Sequence, residues 1–240
     1  MTNELLMIIP AGSNTSLMWL AFIALTVISF IVSKSVESKF KKYTKIPMNY
    51  GLTGREVAER MLYDNDIHDV TVQEVNGTLT DHYNPVNKTL NLSHDVYHGT
   101  SVAAAAVAAH ECGHAVQHAT GYAWLQMRSA LVPTVSFSNK IVMWVLLIGM
   151  FLVNKLGATL LLVGIGLYAL TTLFTIVTLP VEINASKRAL VWLNSHNITS
   201  PDTHRYAESA LRSAAYTYIM AAVTSLATLF YYIMVYSNRR

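Results

Sequence analysis

Leu156 to Leu179 reads LGATLLLVGIGLYALTTLFTIVTL, 24 residues without a charge, and Pro180-Val181-Glu182 follows at once. A helix that crosses a bilayer needs about 20 apolar residues. This stretch is therefore a spanning helix with a carboxylate just beyond its end. Three further charge-free stretches surround it. Leu17 to Ser33 is LMWLAFIALTVISFIVS, Ile141 to Val153 is IVMWVLLIGMFLV, and Ala214 to Tyr236 is AAYTYIMAAVTSLATLFYYIMVY. The Ile141 stretch has only 13 residues, about 20 Å of helix at 1.5 Å per residue. It gains length if it runs back through Phe137, with Asn139 and Lys140 reaching toward the interface. Asn154-Lys155 joins it directly to the long stretch, so the pair reads as a membrane hairpin.

The whole chain agrees with four spans. Its 240 residues are 52% hydrophobic and 13% charged, with a mean hydropathy of +0.35, against about 25% charge in a soluble domain. That excludes disorder, a fibrous repeat and a disulfide scaffold, and argues against a purely soluble domain. A net charge of +3 without a long basic run makes nucleic acid a poor partner. The single cysteine, Cys112, forms no internal disulfide. Leu17 to Ser33 has no basic residue before it and five lysines soon after it, Lys34, Lys39, Lys41, Lys42 and Lys45. A signal peptide has the opposite order, so an uncleaved anchor is expected.

Four spans place 34–140 and 181–213 on one side with 10 and 4 basic residues, against 3 on the other (Lys155, Arg239, Arg240). Positive residues stay inside, so both polar segments are expected in the cytoplasm. The expected organisation is an N-terminal segment and first span over 1–33 and a polar, cytoplasmic part over 34–135. A membrane hairpin over 136–179, cytoplasmic helices over 180–213 and a last span over 214–240 follow.

Within 34–135, Thr53-Gly-Arg-Glu56 reads as a capping box, with Val57, Met61 and Leu62 as the apolar face of its helix. Val70, Val72 and Val75 are strand-like. Asn76-Gly77 and Asn84-Pro85 are turn signals, and Thr89 to Leu92 alternates again. The last run reads as an edge strand to which a peptide could add by backbone pairing. Ser93 is placed to cap a short helix over Asp95 to His98. Gly99-Thr-Ser101 then restarts the chain into SVAAAAVAAHECGHAVQHAT, a long helix stopped by Gly121.

That helix carries His110-Glu111-Cys112-Gly113-His114, an H-E-x-x-H. Histidines four apart lie on one helical face and can reach one metal ion, while the adjacent glutamate can hold a water there. Zinc lowers the pKa of its water toward ~7, so one Zn2+ per chain is expected, with Glu111 as general base. Such a motif also arises by chance, and its place in a strong helix after strand-like segments favours the metal. A third ligand must come from elsewhere. His118 is one turn further on, ~6 Å along the axis, and no glycine turn brings it back. Its expected place is behind the ligands or on the surface. Glu182 lies at the cytoplasmic end of the third span, where Pro180 can start a new helix. It reads equally as a third ligand or as a carboxylate favoured by the helix dipole.

Lesser candidates are weighed the same way. His82 and Tyr83 fall in a polar turn, where either could donate to an oxyanion or simply pack the turn. His94 and His98 are four apart, as a second metal pair or an exposed helical face. Arg128 and Arg188 suit a substrate carboxylate, a lipid phosphate or a structural acid. Cys112 is expected to be a buried thiol turned off the metal face.

Four blocks together resemble a known family: Leu79-Thr-Asp-His-Tyr-Asn-Pro85, Ala109-His-Glu-Cys-Gly-His-Ala-Val-Gln-His118, Arg128-Ser-Ala-Leu-Val-Pro133 and Leu179-Pro-Val-Glu-Ile-Asn-Ala-Ser186. They look like the YugP-type bacterial membrane zinc metallopeptidases, distantly similar to the HtpX-type membrane proteases, from about Lys39 into the last span. The resemblance implies a membrane-bound zinc peptidase with His110, His114 and Glu182 as ligands and Glu111 as base. Asn184 stands where that family usually has aspartate, and Ser186 where the HtpX-type pattern places an acid. Both become candidates for residues behind the ligands.

The expected protein is thus mainly α, with four transmembrane helices and a cytoplasmic zincin-like α+β catalytic part. It hydrolyses peptide bonds in membrane or membrane-proximal proteins. The bilayer and a peptide or membrane-protein substrate are the expected partners, with a homo-oligomer or larger membrane assembly left open. The rival is a zinc-binding, non-proteolytic membrane scaffold, which has no need of Glu111. A transporter fits poorly, because the spans hold no ionisable residue.

Overall fold

The structure is a computed structural model that describes residues 13–48, 50–152 and 154–239, with side chains from residue 18 onward. The expectations placed on residues 1–12, Val153 and Arg240 lie outside the described residues. Among the described residues, seven helices and three short strands run in the order α1 (Ser13–Tyr43), α2 (Gly54–Asp64), β1 (Thr71–Val75), β2 (His82–Asn84), β3 (Thr89–Ser93), α3 (His94–Tyr97), α4 (Val102–Ala119), α5 (Ala123–Phe151), α6 (Lys155–Ser195) and α7 (Pro201–Ser237). Four of them, α1, α5, α6 and α7, are long and apolar enough to cross a membrane. The described residues form two compact units, one within 1–31, 127–178 and 218–240 and one within 32–126 and 179–217.

The first unit is built from the apolar stretches. Phe30, Phe137, Trp144, Phe151, Leu162 and Phe230 are each at least half exposed, far more apolar surface than a protein in water presents and what lipid tails would cover. Inside it, α5 and α6 come together at Gly149, where a Cβ would lie 2.6 Å from the backbone nitrogen of Leu161. Close backbone approach through small residues is how helices pack in lipid. Thr172 and Ser225 share a buried hydrogen bond of 2.8 Å between α6 and α7. Arg239 donates to the carbonyls of Gly149 and Met150, satisfying acceptors that the end of α5 leaves open.

The second unit has an apolar core around α4. Val57, Ala58 and Met61 of α2, Leu90 and Leu92 of β3, and Ala104 to Ala109 of α4 belong to one buried cluster with Ala189 and Leu193 of α6. Thr53 caps α2 with the reciprocal Thr53–Glu56 pair that its sequence announces. Ser101 caps α4 by accepting from the Ala104 N–H at 3.2 Å. The sheet order is β1-β3-β2, with β3 parallel to β1 and antiparallel to β2. Asn84 closes the β2–β3 turn, its side-chain oxygen accepting from Val86 and Asn87.

Four expectations give way to the observed fold. Thr89 to Leu92 is the central strand, not an edge, because β1 and β2 flank it. Its residues 90–93 are buried, as a two-sided strand requires. His82 and Tyr83 are in strand β2 rather than a turn, paired with Asn91 and Leu90. The short helix starts at His94, and the Ser93 side chain does not cap it. Its hydroxyl is taken by Asp81 at 3.0 Å. Pro180 starts no helix, because α6 runs unbroken through it for 41 residues. Proline removes one helical donor. Against that loss, Val181, Ala185, Ala189 and Leu193, each fully buried, form an i,i+4 stripe that keeps the helix in line.

Candidate metal centre

Helix α4 presents His110, Glu111 and His114, and α6 presents Glu182. What lets these two helices meet is Gly113. A Cβ there would lie 2.6 Å from the carbonyl oxygen of Ala185 and 3.0 Å from its Cα, so backbone rests on backbone. The fully buried alanines 103, 105, 106, 108 and 109 line the same helix with the smallest side chain that keeps high helix propensity.

At this approach the Glu182 carboxylate lies between the two imidazoles. Its Oε2 is 3.3 Å from His110 Nε2 and 3.6 Å from His114 Nε2, and the ligand atoms of all three residues lie within 4.8 Å of one another. Charge-assisted hydrogen bonds run about 2.7–2.9 Å, and these separations are longer. A tetrahedral ion with bonds of ~2.0–2.2 Å has ligand–ligand edges of about 3.3–3.6 Å. Two nitrogens and one oxygen at that spacing fit zinc in both donor type and distance. His114, Glu111 and Glu182 are buried, at 8%, 8% and 3% exposure.

Each imidazole turns Nε2 to the cluster and is held through Nδ1. Ser186 Oγ is 3.0 Å from His110 Nδ1, and Gln117 Oε1 is 3.1 Å from His114 Nδ1. Gln117 is completely buried. Its Nε2 donates to the Val181 carbonyl at 2.8 Å and to Asn184 Oδ1 at 3.0 Å. A backbone carbonyl only accepts, which fixes the amide so that Oε1 faces His114. His114 Nδ1 must then carry the proton, and Nε2 keeps its lone pair for a ligand. Arg188 Nε donates to the same Asn184 oxygen at 2.8 Å.

Glu111 is held differently. Its Oε2 accepts the Tyr83 backbone N–H at 3.0 Å, so the peptide of β2 points away from β3 at this carboxylate. The Tyr83 hydroxyl is 2.8 Å from Nδ1 of the exposed His118. His82 contacts the Thr80 carbonyl and the Asn91 amide and does not join the cluster. Cys112 is buried against α2, 3.5 Å from the Ala58 carbonyl.

Burial pulls the His114 imidazole toward its neutral form, but Glu182 and the charge of Glu111 outweigh it and raise its pKa above the ordinary value. Burial likewise raises Asp81, and the Ser93 hydrogen bonds offset it only in part. Burial pushes the Cys112 thiol well above its usual range, so it is a poor ligand or nucleophile.

Sequence reasoning missed Gln117 and Asp81. Gln117 carried one signal, its place three residues after His114 on a helix. Asp81 bonds both the N–H and hydroxyl of Ser93, a pairing no local pattern announces.

The chain belongs to the family described as "Putative neutral zinc metallopeptidase", which it matches over residues 18–237. It is 39% identical over 225 residues to a protein of Bacillus subtilis (strain 168) named "Putative membrane protease YugP", across 91% of this chain and 98% of that one. No solved structure matches it.

Proposed function

We propose that this chain is a membrane-embedded, zinc-dependent endopeptidase with a gluzincin-like site. His110, His114 and Glu182 hold one zinc ion and Glu111 is the general base. The observation that carries this reading is the convergence of Glu182 on both imidazoles at 3.3 and 3.6 Å across 67 residues of intervening sequence from His114. A helix-start carboxylate has no reason to sit there.

When bound, zinc polarises a scissile carbonyl and acidifies a water. The rest is done by the protein. Gln117 holds His114 in the tautomer that offers Nε2, and Ser186 steadies His110 through Nδ1. Glu111, steadied through Oε2 by the Tyr83 N–H, takes the water proton and delivers it to the leaving amine nitrogen. The Tyr83 hydroxyl and His118, hydrogen-bonded to each other, are the proposed donors to the oxyanion. His82 has no part in this.

The charge count on 34–140 and 181–213 supports a cytoplasmic site, and Glu182 follows the apolar run by only three residues. Membrane proteins, or segments exposed near that surface, are therefore the proposed substrates, and a bacterial cytoplasmic membrane the proposed location. The organisation into an anchor, a catalytic part over 34–135, a hairpin, the Glu182 helices and a last span is part of the same proposal.

Glu111→Gln tests it. Purified in detergent, the variant keeps its zinc and loses cleavage of casein or a membrane substrate by about 10²-fold or more. Equal cleavage by both forms removes the peptidase reading and leaves a zinc-binding scaffold.

A further inference from the structure

A second cluster of metal-binding side chains lies away from Glu111 and Glu182, within the sheet part of the second unit. Strand β1 runs parallel to β3 with Glu74 opposite Leu92 and Val75 opposite Ser93. β3 passes directly into α3 at His94. That register delivers the Glu74 side chain beside the first residue of α3. One helical turn later His98 returns to the same side, its ring centroid 4.9 Å from that of His94. The Glu74 carboxylate spans the pair, with Oε1 at 2.7 Å from His94 Nδ1 and Oε2 at 3.1 Å from His98 Nε2. One ligand atom from each of the three residues falls within 4.8 Å of the others.

We propose that Glu74, His94 and His98 form a second, exchangeable site for a divalent transition-metal ion of the Zn2+, Ni2+ or Cu2+ type. Two imidazole nitrogens select borderline ions, whereas Ca2+ and Mg2+ require oxygen donors throughout. Three protein ligands leave the remaining positions to water. The side chains are 41%, 70% and 55% exposed for Glu74, His94 and His98, so the ion comes and goes without unfolding. This separates the site from the buried one. At 2.7 and 3.1 Å the Glu74 carboxylate hydrogen-bonds both imidazoles, and exposed ion pairs contribute only roughly 0–1 kcal/mol, so a divalent ion finds the three ligand atoms already gathered and displaces these contacts at little cost. Occupancy would clip β1 to α3, a four-residue helix without a side-chain N-cap bond, in the segment that leads into α4.

Chelator-stripped protein in detergent is titrated with Zn2+, and separately with Ni2+, reading stoichiometry by calorimetry and the melting temperature at each step. Wild type takes two equivalents, the second weaker. His94→Gln/His98→Gln takes one, and His110→Gln/His114→Gln keeps only the weaker one. Glu74→Gln, an isosteric change at one exposed carboxylate, weakens the second equivalent by about tenfold or more while its metal-free melt matches wild type. That variant decides the matter where a double variant folds poorly. A single equivalent in wild type, or two in His94→Gln/His98→Gln, overturns the site. A single equivalent that vanishes in His110→Gln/His114→Gln and persists in His94→Gln/His98→Gln refutes it and leaves the buried centre standing.

Discussion

Replacing Gly113 with alanine tests whether backbone contact between α4 and α6 assembles the metal centre. A Cβ there would lie 2.6 Å from the Ala185 oxygen, and ordinary contact begins at 3.4 Å. The two backbones must therefore part by about 0.8 Å, the difference between those values. No rotamer relieves this, because the obstructing atoms are the carbonyl and Cα of Ala185. A zinc site tolerates roughly 0.2 Å in its ligand distances, so the displacement is several times what Glu182 can absorb. Stability moves less. Alanine gains up to ~1 kcal/mol over glycine inside a helix, and overpacking costs about 1–3 kcal/mol. The net is a loss of up to ~2 kcal/mol, or roughly 4–8 °C for a chain of this size. Zinc content by mass spectrometry and melting with and without chelator separate the two effects. Gly113→Ala should lose most of its zinc and the zinc-dependent part of its melting temperature, while its metal-free melt falls by no more than about 4–8 °C. Ala185→Gly should not rescue it, since the clash is with backbone. Full zinc content with a raised melting temperature would refute the reasoning.

Further outcomes follow from the same geometry. Gln117→Leu removes the acceptor of His114 Nδ1–H, so zinc affinity should fall about 10–100-fold, read by competition with a chromogenic chelator. Thr53→Ala removes the α2 cap, 3.2 Å from the Glu56 N–H, and should cost about 1 kcal/mol with zinc content unchanged. The Thr53 backbone and side-chain hydrogen bonds hold Glu56 below its ordinary value of 4.5. That support is present above the unfolded pKa and lost as pH falls through the lower folded one; acid melts of Glu56→Gln should lack this component. His114 has a raised pKa in the metal-free site, so protons compete for its nitrogen from a higher pH than at an ordinary histidine. Zinc affinity should fall as pH drops through that value, and a titration flat from pH 8 to 5 would contradict it.

What sequence could reveal was whatever is local or carried by composition. The apolar runs, the Thr53–Glu56 box, the Ser101 cap and the paired imidazoles are all readable within a few residues. Tyr83 shows where this fails. His82 to Asn84 is a three-residue strand whose existence rests on pairing with β3, and nothing within it alternates long enough to be seen. Its neighbour β3 looked like an edge because alternation of Thr89 and Asn91 with leucines suggests one wet face. Asn91 is in fact buried, its amide bonded to Gln73, His82 and Thr89. Pro180 failed for the opposite reason. Its local rule ends helices, and the buried stripe from Val181 to Leu193 overrode the rule.

Residue 184 is where the resemblance and the structure speak to each other. The family pattern places aspartate there, and an amide in its place could weaken the support of a ligand. The support is indirect. Asn184 reaches His114 only through Gln117, and the atom it uses is Oδ1, which accepts from Gln117 Nε2 and Arg188 Nε. An aspartate oxygen would accept the same two bonds. The amide thus keeps the geometry and gives up only a charge, facing an arginine rather than the metal cluster. Asn184→Asp should therefore leave zinc affinity within a few-fold while strengthening the contact to Arg188, charge-assisted bonds being roughly twice as strong as neutral ones. Asn184→Leu keeps the bulk and removes the acceptor. It should lower zinc affinity toward the Gln117→Leu value, because Gln117 then holds its orientation through the Val181 carbonyl alone. If Asn184→Asp instead sheds zinc while Asn184→Leu retains it, charge rather than the hydrogen-bond relay governs this side of the site, and Gln117 is not the group that orients His114.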